Sequence, residues 1–83
     1  MKFTELIYSV IIEYTDEPDF FGFYSPDLEG FSGIGRSVKD CIHKARQGMK
    51  EHIELLREQK LPVPIRNPKA EIIIHHEREL AAA

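Results

Sequence analysis

The spacing of apolar residues predicts three short strands in the first 35 residues of the chain. The first strand is predicted at residues 6–14, where alternate positions place five apolar or aromatic side chains on one face: Leu6, Tyr8, Val10, Ile12 and Tyr14. Its other face is half apolar because it carries Ile7 and Ile11. After an acidic turn, a second strand is predicted at residues 20–25, and a third, loosened by its glycines, at residues 31–35.

Beyond the third strand the apolar period changes to three or four residues, which predicts one long amphipathic helix. Its apolar stripe is Val38, Cys41, Ile42, Ala45, Met49, Ile53 and Leu56. Ser37 can cap this helix, with Asp40 in the place where a capping box usually has Glu. Gly48 falls inside the helix and should cost about 1 kcal/mol relative to Ala, and it lets the helix approach the sheet closely. The helix should end at Leu61, because a residue that precedes a proline leaves the α region.

A last strand is predicted at residues 70–76, so the order of elements is strand, strand, strand, helix, strand. This order predicts an α+β fold in which an antiparallel sheet carries one helix on one face. A single helix covers only one face of such a sheet. The apolar residues of the other face, Ile7, Ile11 and Ile73, would then need a second chain. We therefore expect a homo-oligomer, either a dimer or a tetramer.

Eighty-three residues predict a single domain, with a core at about residues 4–76 and a short tail at residues 77–83. The one cysteine, Cys41, excludes an internal disulfide framework and favours a reducing, cytoplasmic location. The first five residues lack the apolar core of a signal peptide, and no apolar run approaches the length of a membrane span.

The net charge of −3 conceals an asymmetry between the two parts of the chain. Residues 1–30 carry seven acids and one base, whereas residues 31–83 carry seven acids and ten bases. An acidic first third suits a basic partner better than a phosphate backbone. The candidate partner contacts are the acids of the two predicted turns: Asp16, Glu17, Asp19, Asp27 and Glu29.

The sequence patterns of phosphate-binding, metal-binding and nucleophilic sites are incomplete in this chain. Gly33-Ile34-Gly35 precedes a helix, but it fits neither the phosphate-binding loop nor the dinucleotide-binding spacing. The four histidines, His43, His52, His75 and His76, do not converge as metal ligands would. Cys41 lies on the apolar stripe, where a thiol is usually inert, although the first turn of a helix can lower a thiol pKa. We therefore predict no enzyme, no metal site and no cofactor.

Several motifs in order resemble the HicB antitoxin family. They are Tyr8-x-Val10-x-x-Glu13, Phe21-Gly22-Phe23, Pro26-Asp27-Leu28-Glu29-Gly30, Gly35-Arg36-Ser37 and a small residue, Ala45, on the helix that follows. The resemblance covers about residues 6–64. Phe31 departs from it, because the family usually has a cysteine there.

The resemblance implies a partly degraded ribonuclease-H-like βββαβ fold without catalytic carboxylates. It also implies that the protein neutralises a small basic toxin, HicA-like, that cleaves messenger RNA in bacteria. Many members continue into a domain that binds DNA, whereas only residues 77–83 follow the last predicted strand here. We therefore expect no separate DNA-binding domain. The alternative interpretation is an oligomeric domain that senses a small ligand or a nucleotide near the helix start at residues 33–37.

Overall fold

The chain folds into a four-stranded sheet with one long helix packed against it. The structure is a computed structural model, and it describes residues 6–75. In chain order the elements are β1 (Val10–Tyr14), β2 (Phe21–Tyr24), β3 (Ser32–Gly35), α1 (Val38–Glu58) and β4 (Ile72–His75). The predicted α+β class and the βββαβ order are confirmed. The predicted tail at residues 77–83 and His76 lie outside the described residues.

The sheet is mixed, so the prediction of a wholly antiparallel sheet is wrong in one pairing. Its strand order is β3-β2-β1-β4, with β1–β2 and β2–β3 antiparallel. The β1–β4 pair is parallel. The reason lies in the connection: β3 points the same way as β1, and α1 carries the chain back across the sheet before β4 begins. A helical crossover of this kind joins parallel strands.

Strand β1 starts four residues later than the alternation predicted. The chain before it makes other hydrogen bonds: Ser9 N–H donates to a carboxylate oxygen of Asp27 (2.9 Å), and the Ile7 carbonyl accepts from Asn67 N–H (3.0 Å). The alternation still identified the core-facing side chains. Tyr8 is buried although it precedes the strand, and Val10 and Ile12 within the strand are fully buried.

The core lies between α1 and the helix-facing side of the sheet. The helix contributes Cys41, Ala45, Met49 and Ile53, and the strands and loops contribute Leu6, Tyr8, Val10, Ile12, Phe21, Phe23, Leu28 and Phe31. The small residue Gly48 allows α1 to lie close to the Phe31 ring, because a Cβ atom at position 48 would lie 2.9 Å from that ring. Burial of this contiguous apolar surface is the main favourable contribution to folding.

The helix starts where the sequence predicts, but its capping differs in one bond. The Ser37 hydroxyl accepts a hydrogen bond from the backbone N–H of Asp40 (3.0 Å). The Asp40 carboxylate reaches one residue further back than in a capping box, and accepts from Arg36 N–H (2.9 Å). Two donors at the helix start are thereby satisfied.

The helix ends at Glu58, three residues before Leu61, and its end is set by backbone geometry. Lys60 has φ = 58°, in the left-handed region. Its N–H donates to the Arg57 carbonyl (3.0 Å), and Leu61 N–H donates to the Leu56 carbonyl (2.8 Å). This pair of bonds is the Schellman motif, with lysine in the position where glycine is usual.

Candidate functional site

The sheet face turned away from α1 is the candidate interaction surface. The strand register places eight residues on it, and we call them the outer face: Ile11, Glu13, Gly22, Tyr24, Ser32, Ile34, Ile73 and His75. The helix packs against the opposite face of β1, β2 and β3.

One transverse row of the outer face is apolar across three neighbouring strands. Tyr24 on β2 pairs with Ile11 on β1, and Ile11 pairs with Ile73 on β4. Tyr24 is 37% exposed, and the two isoleucines are half-buried. Three adjacent apolar side chains on a face without a helix form a continuous strip that can pack against another surface.

The second row of the outer face combines a depression with a polar pair. A Cβ atom at Gly22 would meet no other atom within 4 Å, so the surface is open there. Ile34 on β3 lies beside this glycine and is 59% exposed. On the other side, Glu13 and His75 approach to 4.0 Å, an ion pair when the imidazole is protonated.

The three residues predicted to form an oligomer face do not all lie together. Ile11 and Ile73 are direct neighbours in the register of β1 and β4. Ile7 precedes β1, packs against the core and lines a groove beside α1. Two of the three residues, Ile11 and Ile73, therefore share a continuous surface for the predicted assembly.

The five candidate acids occupy opposite ends of the sheet. Asp16, Glu17 and Asp19 are exposed in the β1–β2 turn, whereas Asp27 and Glu29 lie in the β2–β3 connection. Strands of four or five residues separate these ends by about 13–17 Å. The acids therefore form two separate sites instead of one patch.

Asp27 already has partners within the chain. One of its carboxylate oxygens accepts from Ser9 N–H and from the Asn67 side-chain amide, both at 2.9 Å. These two hydrogen bonds, first the one from Asn67 and then the one from Ser9, hold the pKa of Asp27 below its usual value. The structure thus gives Asp27 an architectural role, and its predicted contact with a partner stays a prediction.

The contacts of Asp27 belong to a polar cluster that sequence reasoning missed. The Ser9 hydroxyl accepts from Glu71 N–H (3.0 Å), and the Asn67 side-chain oxygen accepts from Lys69 N–H (2.8 Å). Together these bonds tie the start of β1, the β2–β3 connection and the approach to β4. The Asn-Pro dipeptide at residues 67–68 indicates a turn, but it does not indicate which other segment of the chain that turn contacts.

At the helix start, where the alternative interpretation places a ligand, a carboxylate of the chain itself already accepts a backbone hydrogen bond. The Asp40 carboxylate accepts from Arg36 N–H and makes a 3.4 Å ion pair with Lys44. A Cβ atom at Gly35 would lie 2.7 Å from the Cys41 sulfur, so this glycine serves close packing. The negative charge favoured at a helix N-terminus is supplied by the chain itself.

Cys41 is a core residue in the structure. It is fully buried, and burial is the main reason why the pKa of its thiol is raised, with a further contribution from the Asp40 carboxylate. Because the thiolate is the reactive form, this environment makes the sulfur a poor nucleophile.

The histidines of the described chain lie apart from one another. His52 packs edge-on against the Phe31 ring at 6.0 Å, and His75 lies beside Glu13 on the outer face. Within residues 6–75 no three His, Cys, Asp or Glu side chains are grouped so that they could hold a metal ion.

Comparisons with known proteins return no relative. No family model matches the chain, and neither a curated protein nor a solved structure matches it. A search of the described residues for membrane spans likewise finds no helix with sufficient length and apolar character.

Proposed function

We propose that this protein is an antitoxin-like binding protein that neutralises a small, basic, HicA-like toxin by covering its RNA-cleaving surface. The proposal includes assembly into a homodimer or tetramer through the outer face, a cytoplasmic location, and no enzymatic activity. Inhibition of this kind requires a complementary surface and no chemistry in the inhibitor.

The observation that carries the proposal is the apolar row Tyr24–Ile11–Ile73 on a sheet face that the helix leaves open. Apolar side chains at the centre of a surface and charged ones at its edge are the usual arrangement of a protein interface. The βββαβ order is also the order that the resemblance to HicB antitoxins implies.

The acidic turn between β1 and β2 supplies the charge for such a partner. Asp16, Glu17 and Asp19 are exposed there. A protein that holds RNA must present cations to the phosphate groups. Acids on the inhibitor would attract those cations, accelerate association and compete with the RNA backbone.

The test is RNA cleavage by the product of a small open reading frame adjacent to this gene, with and without the purified chain. We expect the chain to bind that product in a pull-down and to suppress cleavage at a stoichiometric ratio. A product that neither binds the chain nor loses activity in its presence would overturn the proposal.

Two charge-reversed variants then examine the assigned contact. Asp16→Lys/Glu17→Lys/Asp19→Lys should weaken binding strongly at low salt and less at high salt, because salt screens exposed charges. The control, Glu51→Lys/Glu54→Lys/Glu58→Lys, makes the same change of charge at exposed positions on α1. Equal affinity of the first variant and the unmodified chain at both salt concentrations would show that the acidic turn is not the contact.

A further inference from the structure

Strand β4 is apolar on both of its faces, although it lies at the edge of the sheet. Three of its four residues are isoleucines, and its one strand neighbour among residues 6–75 is β1. The helix packs against β1, β2 and β3, and Ile74, on the helix side of β4, is 42% exposed. Edge strands usually carry charges or proline, whereas an unbroken apolar run is typical of a strand covered on both faces. The sequence of β4 therefore suits an inner strand of a larger sheet.

The free edge of β4 presents the backbone groups of two isoleucines. Val10 N–H donates to the Glu71 carbonyl (3.0 Å) at the start of the parallel β1–β4 ladder. In such a ladder, successive residues of one strand alternate between bonding to the neighbour and pointing away from it. Ile73 therefore bonds toward β1, like Glu71. The N–H and C=O groups of Ile72 and Ile74 point to the free edge, where no other strand of residues 6–75 lies.

The segment from Glu71 to His75 is self-complementary when two copies of it run antiparallel. With Ile73 opposite the partner's Ile73, each Ile72 lies opposite the partner's Ile74. Each Glu71 then lies opposite the partner's His75, whose imidazole can donate to the carboxylate. Apolar and acid–base cross-strand pairs of this kind stabilise a sheet. The same register sets the outward-pointing groups of Ile72 and Ile74 against each other, as antiparallel hydrogen bonding requires.

We propose that the β4 edges of two copies pair antiparallel about Ile73 and join their sheets into one sheet of eight strands. The contact is isologous, because each copy contributes the same segment. It rests on the proposed assembly through the outer face and adds a second interface to that assembly. Two edge-joined pairs that pack outer face against outer face form a tetramer.

This register also extends the apolar row of the outer face. The row Tyr24–Ile11–Ile73 ends at β4 within one chain. Pairing about Ile73 brings the row against its own symmetry copy, so that it runs through six neighbouring strands. The longer apolar strip removes more surface from water when a second pair packs on it. The edge contact and the outer-face contact therefore reinforce each other.

The edge contact is too small to hold two chains together alone. It involves residues 71–75 of each copy, whereas a stable, specific interface has about 20–30 residues on each side. The edges therefore stay paired only while the outer faces are packed. A charge introduced at Tyr24 on the outer face should consequently separate the edges as well.

The experiment is light scattering of the full chain and of variants at the free edge. We expect the unmodified chain to have four times its 9.6 kDa mass, and Ile74→Lys to have twice that chain mass, because an edge lysine opposes strand addition. Ile65→Lys is the matched control: it makes the same substitution at a residue that is 91% exposed in the α1–β4 connection. We expect this control to keep the fourfold mass, and circular dichroism shows whether each variant is folded.

A second measurement tests the register through cross-linking. Two Ile73 side chains lie directly opposite each other at the two-fold axis, so Ile73→Cys should form a disulfide between copies under mild oxidation. Ile74→Cys is the control, because its two copies lie opposite Ile72 and are too far apart to bridge. Random collision would favour the control, since Ile74 is the more exposed of the two residues. Denaturing electrophoresis without reductant, after free thiols have been blocked, detects the linked pair.

The outcomes separate the edge contact from the outer-face assembly. A fourfold or twofold mass that Ile74→Lys leaves unchanged would overturn the edge contact, and would leave β4 to a strand of another protein. Equal cross-linking of Ile73→Cys and Ile74→Cys would overturn the register. If Ile74→Lys halves a twofold mass, the edge contact stands without the outer-face assembly. A single-chain mass at every concentration would overturn both.

Discussion

The side-chain amide of Asn67 donates a 2.9 Å hydrogen bond to the Asp27 carboxylate, across 40 positions of sequence. The same carboxylate oxygen accepts from Ser9 N–H, so one aspartate joins three segments that are remote in the chain. These segments meet at the start of β1, an inner strand of the sheet, which carries Ile11 of the outer face. The polar cluster therefore maintains the geometry on which the proposed interface depends.

Removal of the Asp27 carboxylate should destabilise the fold. Asp27→Ala leaves Ser9 N–H and the Asn67 amide without their acceptor, and we expect the free energy of unfolding to fall by about 1–3 kcal/mol. Urea denaturation followed by circular dichroism measures this change. Asp16→Ala is the control, since Asp16 is exposed, and a loss of equal size in both variants would contradict the assignment.

The contribution of Asp27 should depend on pH. Its pKa is lower in the folded chain than its ordinary value of 3.8, chiefly because of the hydrogen bond from Asn67. The stabilisation is therefore present above that ordinary value and is lost as the pH falls through the lower pKa of the folded state. Urea titrations between about pH 6 and about pH 2 should show the stability difference between unmodified chain and Asp27→Ala shrinking toward the acid end. A difference that stays constant over this range would contradict this explanation.

Two strand glycines should respond in opposite ways to the same substitution. Gly35→Ala places a methyl group 2.7 Å from the Cys41 sulfur and 3.1 Å from its backbone nitrogen, so we expect a loss of about 1–3 kcal/mol. Gly22→Ala meets no atom within 4 Å and should be neutral or stabilising by up to about 1 kcal/mol. The denaturant midpoints of the two variants measure this difference in stability, and similar midpoints would refute the packing role of Gly35.

The end of the helix can be strengthened at one position. Lys60 holds φ = 58°, which costs a residue with a side chain about 1–2 kcal/mol relative to glycine. Lys60→Gly should therefore raise the thermal midpoint. Gln59→Gly is the adjacent control, since Gln59 has φ = −89° and gains nothing from glycine. A lower midpoint for Lys60→Gly would show that its side chain matters more than its backbone conformation.

The Cys41 thiol should be protected in the native protein. Burial raises its pKa, and the sulfur is inaccessible, so a thiol reagent at mildly alkaline pH should modify it far more slowly than in urea. The rate of release of the chromophore from a disulfide reagent measures this directly. Equal native and denatured rates would mean that the first turn of α1 opens readily.

Much of the fold was predictable because apolar periodicity reports which side of an element is buried. The stripe from Cys41 to Ile53 and the alternation through Val10 and Ile12 both identified core residues. Periodicity holds no information about pairing partners, so the parallel direction of β4 beside β1 was missed.

The candidate sites were less accessible to sequence reasoning, because they depend on contacts between distant segments. Charge counting grouped Asp27 with the exposed acids, although Asn67 and Ser9 already bind its carboxylate. The self-complementary edge of β4 was missed because the place of β4 in the sheet is known only after the chain has folded.

The mass of the chain in solution, measured by light scattering across a dilution series, tests the central claim that the outer face packs against another polypeptide. We predict that the unmodified protein has a multiple of its 9.6 kDa chain mass, and that Tyr24→Glu, which adds a charge to the apolar row, returns it to 9.6 kDa. A mass of 9.6 kDa for the unmodified protein at every concentration would contradict that claim.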